Sequence, residues 1–269
     1  MKRQIVSPDN HYVKLAASLR QKKYREESSL FVVEGLRFVK EALDSAWTLE
    51  YVVVDEDKVD NDKIQELLAS LAERNCPVLS VPLKLYQKIS DTENPQGILA
   101  VIKQKTQSLE ELPIGEPTSL WVILDSLQDP GNVGTIIRAA DAAGAAGVLL
   151  TPDCADLYAG KTTRATMGSL FHIPVVRASV EQCLAFCDQR DLALYAAGAE
   201  AAVSYSDVKL TEPCAVIFGN EGAGVCHEFK SHALLNIKIP ILGKAESLNV
   251  ASAAAVILFE AVRQRGAAL

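Results

Sequence analysis

Hydrophobic and polar positions along this chain alternate in short blocks, and most blocks resolve into strand-like or helix-like periods. Between residues 1 and 102 the pattern predicts helices over 10–20, 37–45, 62–74 and 82–89. The third of these is the clearest, with Ile64, Leu67, Leu68 and Leu71 at helical spacing. Runs rich in β-branched and aromatic residues predict strands over 29–33, 49–54, 77–80 and 97–102. Lys22-Lys-Tyr-Arg25 reads as a basic turn. Residues 103–117 are polar and carry two prolines and a glycine, which marks a linker. Beyond it, strands are expected over 120–124, 148–150, 173–176, 192–195, 215–218 and 235–239. Several are short and continuously apolar, as central parallel strands are. Helices fill the gaps, the last over 248–265. The expectation is an α/β chain of two domains, 1–102 and 118–269.

Composition narrows the function classes. No apolar run is long enough to span a membrane, and no signal-peptide pattern follows Met1, so a cytoplasmic protein is expected. The six cysteines are scattered, without Cys-x-x-Cys or His-x-x-His spacing, and read as buried or half-buried free thiols; no metal is expected. The net charge is −7, yet residues 1–40 hold nine Lys or Arg against four acids, a local +5. That basic edge, with Lys22, Lys23 and Arg25 at its centre, suits a nucleic-acid partner. A solvated helix face is the alternative.

Three loops carry the candidate chemistry, each directly after an expected strand, where ligands bind in open parallel sheets. In the first, 125–138, Pro130 and Gly131 turn the chain and Asn132 falls where a helix cap belongs. Arg138 lies six residues on, and its planar fork suits a phosphate oxygen, or else a surface ion pair. The second, Gly219-Asn-Glu-Gly-Ala-Gly224, permits close approach of a ligand to the backbone. It matches neither a dinucleotide fingerprint nor a P-loop. Glu221 there is either a ligand contact or an acceptor for loop N–H groups. The third, 239–249, ends in Ser247-Leu-Asn249, with Ser247 a plausible cap for a helix of small residues.

Asn-x-Gly…Arg, Gly-Asn-Glu-Gly and Ser-Leu-Asn, in this order, closely resemble the three motifs of the SpoU (TrmH-like) RNA ribose 2′-O-methyltransferases. Arg164-Ala-Thr-Met-Gly168 is similar to that family's Arg-Ala-Ser-x-Gly segment, with Thr166 in place of serine. A looser likeness joins Arg25-Glu-Glu, residues 31–37 and residues 94–98 to the ribosomal-protein-L30-like (L30e-like) substrate-binding domain of the same enzymes. The resemblance implies a trefoil-knotted (SPOUT) parallel-sheet domain over 118–269 with its knot near 215–252, a homodimer through that domain, and S-adenosylmethionine (S-adenosyl-L-methionine) as cofactor. By motif position, Gly219, Ile239 and Leu248 would hold the cofactor. Arg138 would be the catalytic arginine. Asn132 and Asn249 would orient the ribose or the arginine, and Glu221 and Ser247 would shape the site. RNA would meet Lys22, Lys23, Arg25 and Arg164. Ribosomal RNA is the expected substrate. A tRNA target, a non-catalytic knotted RNA-binding protein and a base methyltransferase are the rivals.

Overall fold

The computed structural model describes residues 2–112 and 119–266. Linker residues 113–117, and residue 118 where the second domain was expected to begin, lie outside the described residues. In chain order the elements are β1 (Lys2–Gln4), α1 (His11–Ser18), α2 (Lys22–Ser28), β2 (Leu30–Glu34), α3 (Leu36–Asp44), β3 (Leu49–Asp55), α4 (Asp62–Glu73), β4 (Val78–Val81), α5 (Leu83–Ile89) and β5 (Ile98–Lys103). They continue as β6 (Leu120–Asp125), α6 (Pro130–Ala142), β7 (Gly147–Leu150), α7 (Gly160–Thr166), β8 (Val175–Arg177), α8 (Val180–Gln189), β9 (Ala193–Ala197), β10 (Val203–Ser204), β11 (Cys214–Gly219), α9 (His227–His232), β12 (Leu235–Lys238) and α10 (Val250–Gln264). No helix among the described residues is long and apolar enough to cross a membrane.

Two compact units result. The first is Met1–Lys105 together with Tyr158–Phe171, and the second is Thr106–Leu157 with His172–Leu269. The first unit is built on a five-stranded sheet ordered β1-β4-β3-β5-β2, in which β5 runs antiparallel to both neighbours. Tyr51, Val53, Leu79, Val81, Tyr86, Leu99 and Val101 fill one of its core layers. The 22–25 stretch is helix rather than turn. Lys22 and Lys23 each face a glutamate four residues on, at 3.6 and 3.8 Å, and Ser29 ends the helix in the left-handed conformation at φ 54°. The two-residue strand β10 and the short edge strand β1 escape the periodicity because neither is long enough to show it.

Tyr158–Phe171 belongs to the first unit for identifiable reasons. Tyr158 packs on Phe31 at 4.7 Å between ring centroids, and Phe171 meets Trp47 edge-on at 5.4 Å. Thr162, Thr163 and Thr166 of α7 are buried.

The second unit holds a seven-stranded sheet ordered β10-β12-β9-β11-β6-β7-β8, with every pairing parallel. The chain steps outward from β6 through β7 to β8, then crosses to the other side for β9. β11 inserts between β9 and β6, and all six of its residues are buried. The strand order reverses about β11, which makes its carboxyl end the crevice where open parallel sheets bind ligands. Trp121 and Phe186, edge-on at 4.7 Å, anchor the core with Ile123, Ile217 and Phe229.

Candidate active site

Gly219 ends β11 fully buried. A Cβ placed on it would fall 2.2 Å from the backbone of Gly224 and Val225. Only glycine lets the following loop fold back so tightly. Asn220 then closes the loop on itself. Its Oδ1 accepts from the N–H groups of Gly222 (2.9 Å) and Ala223 (3.1 Å), and its backbone carbonyl accepts from Gly224 N–H at 2.8 Å. Its Nδ2 donates to the Ser126 carbonyl at 3.0 Å, tying the loop to the end of β6. From that same end, buried Asp125 accepts from Cys226 N–H at 2.7 Å. Sequence reasoning missed both Asn220 and Asp125. An asparagine inside a glycine-rich loop was the available signal, since its side chain forms turns with backbone two residues on.

Because Asn220 satisfies the loop amides, Glu221 is left exposed for another partner. It accepts from Asn132 Nδ2 at 2.6 Å, and Asn132 Oδ1 accepts from Asn249 Nδ2 at 3.1 Å. Asn249 Oδ1 in turn accepts from Ala251 and Ser252 N–H at the start of α10. One polar chain therefore joins the three sequence motifs, and it assigns the amide orientation of both asparagines.

Two expected caps are corrected here. The cap of α6 is Asp129, whose carboxylate accepts from Asn132 N–H at 2.8 Å; Asn132 sits inside the first turn. Pro130, fixed at a helical φ, pulls the helix start forward. The cap of α10 is Asn249, and Ser247 lies two residues outside it. Arg138 is in the second half of α6, not near its start. It is exposed and has no hydrogen-bond or ion-pair partner among the described residues.

The loops after β9, β11 and β12 enclose a cavity of about 990 Å³. Gly219, Glu221, Ile239, Ser247, Leu248 and Asn249 all line it, so six of the eight residues expected for chemistry or cofactor share one space. Asn132 reaches it through Glu221 and Asn249, and Arg138 does not line it. The volume is that of a cofactor-sized pocket. Ile239, Ile241, Leu248 and Val250 supply apolar surface, and the loop backbone supplies polar groups. That donor set fits a nucleoside with a charged tail.

The four residues expected to meet RNA lie in the first unit. Lys22 and Lys23 are exposed but set against Glu26 and Glu27. Arg25 is a correction to the basic edge: it is 5% exposed and donates to the carbonyls of Leu19 and Arg20 at 2.7 and 2.8 Å, holding the α1–α2 turn. Arg164 pairs with Asp91 at 2.9 Å.

Residues 119–259 match the family model described as the SpoU rRNA Methylase family, and residues 10–100 match an MRM3-like substrate binding domain. The chain is 36% identical to the 23S rRNA (guanosine(2553)-2′-O)-methyltransferase RlmP of Bacillus subtilis, over 96% of this chain and 98% of that one. It is 31% identical to the 23S rRNA (uridine(2479)-2′-O)-methyltransferase of Streptomyces viridochromogenes, over 98% and 93%. Its fold superposes on the AdoMet-bound rRNA methyltransferase from Sinorhizobium meliloti with a TM-score of 0.88, at 35% identity, covering 97% of this chain and 98% of that one. With three motifs joined by one hydrogen-bonded chain at the sheet's crevice, and with these likenesses over nearly its whole length, the chain belongs to the SpoU rRNA methylase family.

Proposed function

We propose that this protein transfers the methyl group of S-adenosylmethionine to a ribose 2′-oxygen of ribosomal RNA. The observation that carries the reading is the cavity lined by Gly219, Glu221, Ile239, Ser247, Leu248 and Asn249. The rRNA enzymes it resembles along nearly their full length favour rRNA over tRNA.

Gly219, Ile239 and Leu248 would hold the cofactor, largely through backbone groups. When bound, it supplies an electrophilic methyl on a positively charged sulfur. The chain's own work is alignment of the 2′-oxygen and relief of its proton. Arginine stays protonated at any working pH, so Arg138 is read as a clamp on the target phosphate that polarises the 2′-hydroxyl, not as a base. Glu221, Asn132 and Asn249 hold the loop after β11 against α6 and α10. Their amide and carboxylate groups are already committed to one another, which makes them positioning residues. Ser247 shapes the mouth beside them.

The parallel order around β11 accommodates the family's knot. Leu234, Leu235, Leu242, Leu248, Val256 and Phe259 expose apolar surface on the second unit, Leu242 at 98%, and this supports a homodimer through that unit. A cytoplasmic location follows from an rRNA substrate. Mapping 2′-O-methyl groups across rRNA and tRNA in a strain lacking the gene tests the proposal. One rRNA site should lose its ribose methyl and regain it on complementation. An unchanged rRNA map with a change in tRNA would move the substrate to tRNA.

A further inference from the structure

Three stretches far apart in sequence meet in the first unit: the turn from β2 into α3, the loop 90–97 before β5, and α7. Glu34, the last residue of β2, organises the loop. Its carboxylate accepts from the hydroxyls of Ser90 (2.6 Å), Thr92 (3.0 Å) and Tyr86 (3.4 Å) and from Asp91 N–H (3.1 Å). Gln96 Oε1 accepts from Leu36 N–H at 3.0 Å, at the first residue of α3. Gly35 and Gly97, at φ 106° and 83°, permit this crossing. The loop is thus held in shape before any ligand arrives.

α7 closes on both pieces. Arg164 Nη1 lies 2.9 Å from Asp91 Oδ2. A Cβ on Gly160 would come within 2.8 Å of that same carboxylate, and one on Gly168 within 3.0 Å of Glu41 on α3. Arg37, one turn before Glu41, is exposed and only 3.8 Å from its carboxylate. The Arg164–Asp91 pair is half exposed, at 40% and 52%. A guanidinium carries more N–H donors than a single carboxylate oxygen uses, so Arg164 retains donors for a second anion. Two other arginines are spent on backbone carbonyls instead. Arg25 is committed to the α1–α2 turn, and Arg177 to the carbonyls of Pro152, Cys154 and Ala155.

We propose that the Arg164–Asp91 pair is an exchangeable phosphate clamp for substrate RNA. Asp91 holds the guanidinium in place until a phosphodiester oxygen replaces it, and Arg37 on the adjacent α3 provides a second contact. An exposed ion pair contributes little, whereas a bidentate guanidinium–phosphate contact is strong, so the exchange runs toward RNA. The 164–168 motif thereby acquires a role outside the methyl-transfer cavity. The inference rests on the RNA substrate of the proposed function, but not on the reaction performed on it.

The test is fluorescence anisotropy of the full-length chain with an unmodified 23S rRNA transcript across a salt series, alongside methyl transfer to the same transcript. Arg164→Ala should weaken binding roughly tenfold and lower the slope of log K against log salt by about 0.7 to 0.9. Asp91→Asn, which releases the guanidinium, should tighten binding roughly two- to fivefold, the worth of an exposed pair. Arg37→Ala should weaken binding without altering the Asp91→Asn gain. Wild-type affinity and slope for Arg164→Ala would overturn the clamp. So would weakened binding by Asp91→Asn, which would make the pair structural. If the wild-type chain binds through Arg164 yet methylates no rRNA, the clamp stands and the substrate reading fails.

Discussion

At the scale of single residues, the three motifs differ in what their polar groups are free to do. Asn132 looks from sequence like a helix cap, and it is not one: Asp129 caps α6, and both ends of the Asn132 amide are taken by Glu221 and Asn249. Asn132→Ala should therefore cost about 1 kcal/mol or less in stability, since its exposed partners regain water, while slowing methyl transfer. Asn132→Asp should be worse, because it sets a second carboxylate at 2.6 Å from Glu221. Pairing it with Glu221→Gln should restore part of the loss in a kinetic double-mutant cycle. Failure of that rescue would mean that the two residues act independently. Arg138, exposed and outside the cavity, predicts a different split. Arg138→Ala should lower kcat by roughly a hundredfold or more and leave calorimetric affinity for S-adenosylmethionine unchanged.

At the scale of elements, period and strand composition were enough to find every long strand and helix. Binary patterning reports burial, and these elements are buried on one or both faces. What stayed hidden was set by polar pairings that the hydrophobic pattern does not report. The 22–25 turn is helical because Glu26 and Glu27 lie one turn on, and Arg25 is buried because the carbonyls of Leu19 and Arg20 converge on it. The three chemical loops were legible because glycine, asparagine and serine cluster after apolar runs. The hydrogen bonds within them were not, since Asn132 and Asn249 stand 117 residues apart. The tightest element is the turn at Gly219. Gly219→Ala drives a methyl to 2.2 Å from backbone that cannot swing aside. It should destabilise the second unit by roughly 1–3 kcal/mol in chemical denaturation and weaken cofactor binding in the fraction that stays folded. Unchanged stability would mean that the loop after β11 does not pack against Gly219.

At the scale of the whole molecule, the two units do not divide at the linker alone, because Tyr158–Phe171 folds with the first. Residues 1–105 expressed alone would bare Phe31, which Tyr158 covers in the full chain. That fragment should unfold at lower denaturant than the first unit of the intact protein. Five of the six cysteines are buried. Burial pushes the Cys183 and Cys187 thiols up to about 12, and those of Cys76 and Cys214 up to about 11. Unfolded thiols ionise near 8.5. Above that pH the folded chain binds more protons than the unfolded one, so stability must fall as pH rises from about 8.5 toward the folded values. Melting temperature should decline over that window and not below it. The most direct measurement is methyl transfer by the purified full-length protein. Tritiated S-adenosylmethionine is incubated with unmethylated 23S rRNA, and the product is digested to nucleosides. The label should sit on the ribose of one 2′-O-methylated nucleoside and vanish with Arg138→Ala. Label on a base, or undiminished ribose label with the alanine variant, would contradict the proposed chemistry.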